Sequence, residues 1–185
     1  MEIKGSAVKA TPDFVKANHL KNYSDWLKSL PSNSRKIMED PIYATTWYPL
    51  IESVIIPTQK AADLFFNGDY NKAAREIGRF SADIALKGIY KIFVRISSPQ
   101  FVLSRASNIF STYYNPAVIK VIESGEKKAV LQFEKFSVDE KLIMERIAGW
   151  IEHTLEITLK SPLQVTVENI INGKELTAKI TAVWD

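Results

Sequence analysis

The last third of the chain is the stretch that most constrains the fold. From about Val138 to Leu159, Ile143, Ile147, Ile151 and Leu155 recur at four-residue spacing, which predicts an amphipathic helix with one apolar arc. Ser161-Pro162 ends it, because a proline disfavours helical backbone in the residue before it. Two β-rich runs follow, Gln164-Val165-Thr166-Val167-Glu168 and Leu176 to Trp184, with Asn172-Gly173 between them as a turn. A lone hairpin is marginal in water, so this unit needs a further sheet or helix layer to cover it.

The preceding residues supply candidates for that layer. Ile3 to Lys9 reads as a short strand. Thr11-Pro12-Asp13 opens a helix, with Thr11 as its N-cap. Tyr23 to Leu30 and Ser34 to Glu39 read as short helices ended by Pro31 and Pro41. Pro49, after Trp47-Tyr48, is placed to start a helix to about Phe66, which Asn67-Gly68-Asp69 terminates. A long helix then starts near Tyr70 and continues until Ser97-Ser98-Pro99. The next helix runs to Tyr113-Tyr114 and breaks at Asn115-Pro116. Val118 to Glu123 and Ala129 to Phe136, joined by Ser124-Gly125-Glu126-Lys127, form another hairpin. Segregated helices and antiparallel pairs predict a single α+β domain, with helices packed on an antiparallel β-sheet. Its parts are an N-terminal strand with short helices over 1–45, a helical core over 46–115, and a hairpin, helix and hairpin over 116–185. At 185 residues and 46% hydrophobic content, the chain can bury a substantial core as one unit.

Several chemistries are excluded. Cysteine is absent, which removes disulfides, thiolate catalysis and thiolate-ligated metals together. No nucleophile elbow, phosphate-binding loop, dinucleotide fingerprint or H-E-x-x-H occurs, so the chain does not read as an enzyme. A net charge of +3 is too mild to indicate nucleic acid. No apolar run approaches the roughly 20 residues of a membrane span, and there is no signal-peptide core, so a cytoplasmic location is expected. Of the two histidines, His153 falls beside Glu145, Glu152 and Glu156, on the polar side of its helix. His19 sits among Lys and Asn. Both are expected at the surface, with no metal and no cofactor.

The long middle helix carries the most suggestive pattern. Ala74, Gly78, Ser81, Ala85 and Gly88 make a ridge of small residues. Such a ridge admits a second helix at close range, the commoner use, or leaves room for a bound molecule. Candidate pocket residues are Ile77, Phe80, Ile84 and Phe101, with Tyr113 as a polar contact. Lys87, Lys91 and Arg95 recur at four-residue spacing near Arg105 and form a candidate anion contact, although charge runs of this kind are usually a solvated face.

Trp47-Tyr48-Pro49, Gly68-Asp69-Tyr70, Glu76-Ile77-Gly78-Arg79 and Leu86-Lys87-Gly88-Ile89-Tyr90 carry a resemblance, continued by Ser98-Pro99-Gln100-Phe101-Val102-Leu103, Tyr113-Tyr114, Gly149-Trp150 and Trp184. Over Trp47 to Trp184 the chain resembles an uncharacterised bacterial family found as multiple paralogues in myxobacteria. That family is similar in turn to the 4-vinyl-reductase-like superfamily, which includes heme nitric-oxide sensors and TRAPP trafficking subunits. The resemblance implies helices on an antiparallel sheet around an apolar pocket. The cysteines that some relatives use are missing here, and neither histidine aligns with a heme ligand. The expectation is a non-enzymatic module that binds an apolar small molecule and signals through a homodimer or partner interface. The alternatives are a ligand-free interaction scaffold and a heme-based gas sensor.

Overall fold

The computed structural model describes residues 1–87, 98–159 and 162–185, excepting the side chains of Pro99, Gln100, Leu103, Ser104, Ala106 and Ser107. The N-terminal strand is shorter than its β-like sequence suggests. β1 covers only Glu2–Lys4, and helices α1 (Gly5–Val8) and α2 (Ala10–His19) follow at once. The residue before α2 is Lys9, with no side-chain cap, so Thr11 is inside the helix and is not its N-cap. Its hydroxyl instead accepts a hydrogen bond from Arg146, 135 residues away in sequence. β1 pairs antiparallel with β2 (Trp47–Pro49) and with β3 (Tyr114–Asn115), which closes a small sheet at the start of the chain.

Helices α3 (Tyr23–Ser29) and α4 (Ser32–Glu39) fall where the proline-bounded runs place them. Fully buried Trp26 anchors α3, and its indole N–H donates to the Pro57 carbonyl at 3.1 Å. After a wide helical turn at Ile51–Ile55 comes α5 (Ile56–Phe65), ended by Asn67 and Gly68 with φ of 53° and 79°. The Asp69 side chain accepts from the Lys72 amide at 2.9 Å and caps α6 (Tyr70–Ala85). α6 stops at Ala85, short of the sequence expectation that it reaches Ser97. Gly88, Lys91 and Arg95 lie outside the described residues. α7 (Pro99–Ser111) starts at Ser98, whose hydroxyl accepts from the Phe101 amide as a cap.

The main sheet is antiparallel, built from β4 (Val118–Ser124), β5 (Lys128–Ser137), β6 (Leu163–Asn172) and β7 (Glu175–Trp184) in the order β4-β5-β7-β6. Along β7, Leu176, Ala178, Ile180, Ala182 and Trp184 are buried while the residues between them are more exposed. That is the period-two pattern of a half-buried strand. The β6–β7 turn is closed by the Asn172–Glu175 pair, with Gly173 at φ 61° as the turn requires. The terminal helix α8 (Leu142–Thr158) enters through Ser137 and Glu140, which form a reciprocal capping box. Glu140 is buried and also pairs with the Met1 amino group at 2.9 Å.

α6 and α8 cross at unusually short range. A Cβ on Gly78 would lie 2.9 Å from the Arg146 carbonyl carbon, and one on Gly149 would lie 2.9 Å from the Arg75 carbonyl carbon. Ile77, Ile143, Ile147, Ile151 and Leu155 are buried in one apolar cluster with Leu131, Phe133 and Ile180 of the sheet. The result is an α+β fold with its helices packed against an antiparallel sheet, as the element pattern predicts. None of the described helices is long and apolar enough to cross a membrane.

Candidate functional site

From Gly78 onward, three small residues of α6 border open space. Gly78, Ser81 and Ala85, with Ile84, form one wall of a cavity of about 310 Å³. Ser6, Ala7 and Ala10 of α1 and α2 face it. Ile109 and Phe110 of α7, followed by Tyr113 and Tyr114, close one side. Arg146, Ile147 and Trp150 of α8 complete it. Phe110 meets Trp150 edge to face, with ring centroids 5.4 Å apart. Lys9, Asp13 and Ala44 also line the cavity, and all three are exposed. The volume is within the range of small-molecule sites, and the walls are mostly apolar.

Two polar side chains in this wall are buried. Arg146 is only 4% exposed, on a helix whose neighbouring positions Ile143 and Ile147 belong to the core. Its guanidinium donates from Nη1 to Thr11 Oγ1 at 3.0 Å and from Nη2 to the Ala7 carbonyl at 2.6 Å. Both acceptors are uncharged. No Asp or Glu pairs with Arg146 among the described residues, which include all 21 acidic side chains of the chain. Burial therefore pushes its pKa below the usual arginine value, with Tyr114 acting weakly in the other direction. Burial likewise pushes the Tyr114 phenol up to about 12, opposed in part by the positive charge of Arg146.

The sequence-based candidates separate by place. Ile84 and Tyr113 line the cavity, whereas Ile77 is in the core and Phe80 packs edge-on against Phe14 at 5.5 Å. Phe101 is 49% exposed and is not among the lining residues. In the small-residue ridge, Ala74 is buried, Gly78 makes the helix crossing, and Ser81 and Ala85 border the cavity. Lys87 is exposed beyond the end of α6. Arg105 is exposed and stacks over Phe101, 4.4 Å from the ring centroid. His153 lies near Asp83 and Glu156, at 3.8 and 3.5 Å, and is half-buried between α6 and α8, not at the open surface as expected. His19 is a correction: it is half-buried and stacks flat on Phe65 with centroids 4.0 Å apart, so it is no free surface group. Sequence reasoning missed Arg146 and Thr11. The available signal was a cation at position 146, three residues after Ile143 and four before Trp150, on the arc that the helix buries.

No protein-family model matches the sequence, and no curated protein matches it. Solved structures do match in fold. The Fe(II) unliganded H-NOX protein from K. algicida superposes with a TM-score of 0.73 at 12% identity, covering 99% of this chain and 97% of that one. A point mutant of T. tengcongensis H-NOX gives 0.65 at 13% identity, covering 99% and 98%. An oxygen-binding H-NOX domain related to soluble guanylate cyclases, solved as the oxygen complex, gives 0.67 at 13%, covering 98% and 92%. At such identity the likeness concerns the fold alone. It agrees with the fold that the resemblance implies through its heme-binding members, and nothing supports the myxobacterial family.

The neighbours also correct the expectation that no cofactor belongs with this chain, since they include Fe(II) proteins and structures described by their heme distortion. The donors present here differ from the usual axial set. Histidine, cysteine and methionine are the common heme ligands, tyrosine a rarer one. No His or Met lines the cavity among the described residues, the chain has no Cys, and none of the residues left undescribed is His or Met. Among the described lining residues the tyrosine oxygens are those of Tyr113 and Tyr114, and the Tyr114 phenol is held protonated by burial. The described cavity residues do not fit an iron porphyrin held through a histidine nitrogen or through sulfur.

Proposed function

We propose that the chain is a sensory module that captures a small molecule in the cavity between α2, α6, α7 and α8. The observation that carries this reading is the cavity itself, an apolar space of about 310 Å³ bordered by small residues of α6 and by the aromatic side chains of α7 and α8. A filled cavity couples the α6–α8 crossing to α1 and α2, the route by which occupancy would bias a dimer or partner interface. A ligand shifts such an equilibrium only by its difference in affinity for the two states. No catalytic constellation enters this reading.

Heme is the second reading, favoured by one observation: the solved neighbours are H-NOX proteins, some described by their iron or heme. The donor set of this chain weighs on the other side. Titration of the purified chain with ferric and ferrous heme, followed by absorbance and native mass spectrometry, separates the two. One heme per chain, retained through gel filtration with a Soret band, would carry the heme reading. Failure to retain heme, with thermal stabilisation by apolar metabolites, would carry the general one. If neither heme nor any apolar compound binds, the sensory-module reading falls.

A further inference from the structure

We propose that Arg146 is the counter-ion for the head group of the cavity's ligand, which makes that ligand an amphiphile: an apolar body bearing a carboxylate. The proposal rests on the reading that the cavity is the ligand site. A guanidinium removed from water costs several kcal/mol unless it is paired, and a charge kept in such a place normally has an opposite charge beside it. Here none of the chain's carboxylates supplies one. The partners that Arg146 does have, Thr11 Oγ1 and the Ala7 carbonyl, take two of the five guanidinium N–H donors.

Tethering Ala7 and Thr11 to α8 does not explain a charge. The amide of a glutamine also offers two N–H donors and would cost far less to bury. What a guanidinium adds is a planar fork matched to two carboxylate oxygens, with a strength that grows in an apolar surround. The rest of the wall suits the other end of an amphiphile, since Ile84, Ile109, Phe110, Ile147 and Trp150 offer only hydrocarbon and aromatic surface, apart from the indole N–H. Lys9 and Asp13 lie exposed on the cavity lining with opposite charges, so they select no sign of ligand between them. The sign is chosen by Arg146, with phenol donors from Tyr113 and Tyr114 on the same wall. An alkyl carboxylate and a porphyrin bearing carboxylates both carry this chemistry.

The test uses the intact chain and head-group pairs with a common body: dodecanoate against dodecanol, and metal-free protoporphyrin IX against its dimethyl ester. Binding is followed by calorimetry below the aggregation limit of each compound. The acid of at least one pair should bind roughly tenfold or more tighter than its neutral partner. The pair that shows the preference identifies the source as chain or macrocycle. Arg146→Gln should remove the preference for the acid over the neutral compound, read as the ratio of the two affinities within the same variant, while Arg146→Lys should retain part of it. Equal affinity of acid and neutral partner in the wild-type chain overturns the head-group role but leaves the cavity reading standing. Absence of binding by all four compounds overturns both. The wild-type comparison decides even if Arg146→Gln does not fold.

Discussion

Gly78 and Gly149 meet each other's helices reciprocally: Gly78 lies against the carbonyl of Arg146, and Gly149 against the carbonyl of Arg75. Each glycine's own helix thus supplies, three residues earlier, the carbonyl that the other glycine touches. The obstacle to a side chain at either place is backbone, which cannot rotate away. Alanine in a helix interior is otherwise favoured over glycine by about 1 kcal/mol. Gly78→Ala and Gly149→Ala should nevertheless destabilise the chain, each by about 1–3 kcal/mol or more, as forced overpacking does. Urea unfolding monitored by circular dichroism measures this, and stabilisation by either variant would show that the helices do not cross there.

Tyr114 makes stability sensitive to alkaline pH. In the unfolded chain its phenol ionises near 10.0, whereas in the folded protein burial pushes it up to about 12. Below pH 10 the group is neutral in both states and costs nothing. As pH rises from about 10 towards 12, the unfolded chain gives up the proton first and is favoured, so stability falls. A separation of this size corresponds to roughly 2–3 kcal/mol over the window. Tyr114→Phe should flatten the fall of unfolding free energy with pH relative to wild type. Superimposable alkaline slopes for the two proteins would contradict the burial.

Two arginines one helical turn apart on α6 should differ in weight. Arg75 reaches Glu145 of α8 at 2.6 Å through Nε, and both its terminal nitrogens donate to the Val165 carbonyl of β6 at 3.1 Å, joining three elements. Arg79, about as exposed as Arg75, pairs bidentately at 2.7 and 2.9 Å with Glu156, which is more exposed than Glu145; the Arg79 pKa is raised chiefly by that hydrogen bond. Arg75→Met should cost about 1.5–3 kcal/mol, as charged hydrogen bonds do, whereas Arg79→Met should cost about 1 kcal/mol or less. The Arg79 contribution should also shrink in molar salt, where exposed charges are screened. Unfolding midpoints for both variants at low and high salt provide the check.

The elements that could be read in advance are those whose burial follows a simple period. The four-residue spacing of Ile143 to Leu155, the alternation from Leu176 to Trp184 and the turn at Gly173 state local structure and facing together. Ile3 to Lys9 misled because Val8 and Ile3 are buried by tertiary packing, which a β-like composition imitates without specifying a strand. The candidate site was legible on α6 and at Tyr113. Ser81, Ile84 and Ala85 share a helix face, so spacing groups them, whereas Arg146, Thr11 and Ala7 are brought together across more than 130 residues by the fold. A cation on an apolar arc is visible in sequence; the absence of a carboxylate beside it is a fact of three dimensions.

Ser81 and Gly78 divide the two uses of the small-residue ridge. Both are on α6 three residues apart and both border the cavity, and a Cβ on Gly78 would press on the α8 backbone. Ser81 borders the cavity, so a larger side chain there has space to fill. Ser81→Phe should therefore leave the unfolding free energy within about 1 kcal/mol of wild type, or raise it, because cavity filling adds dispersion contacts and buried apolar surface. The same change should abolish binding of dodecanoate and protoporphyrin alike, since the ring occupies the volume either would need. Gly78→Ala should behave in the opposite sense, with stability lost through the helix crossing. If Ser81→Phe binds these ligands as wild type does, the ligand lies elsewhere; if it unfolds the chain, the space beside α6 is smaller than the cavity described.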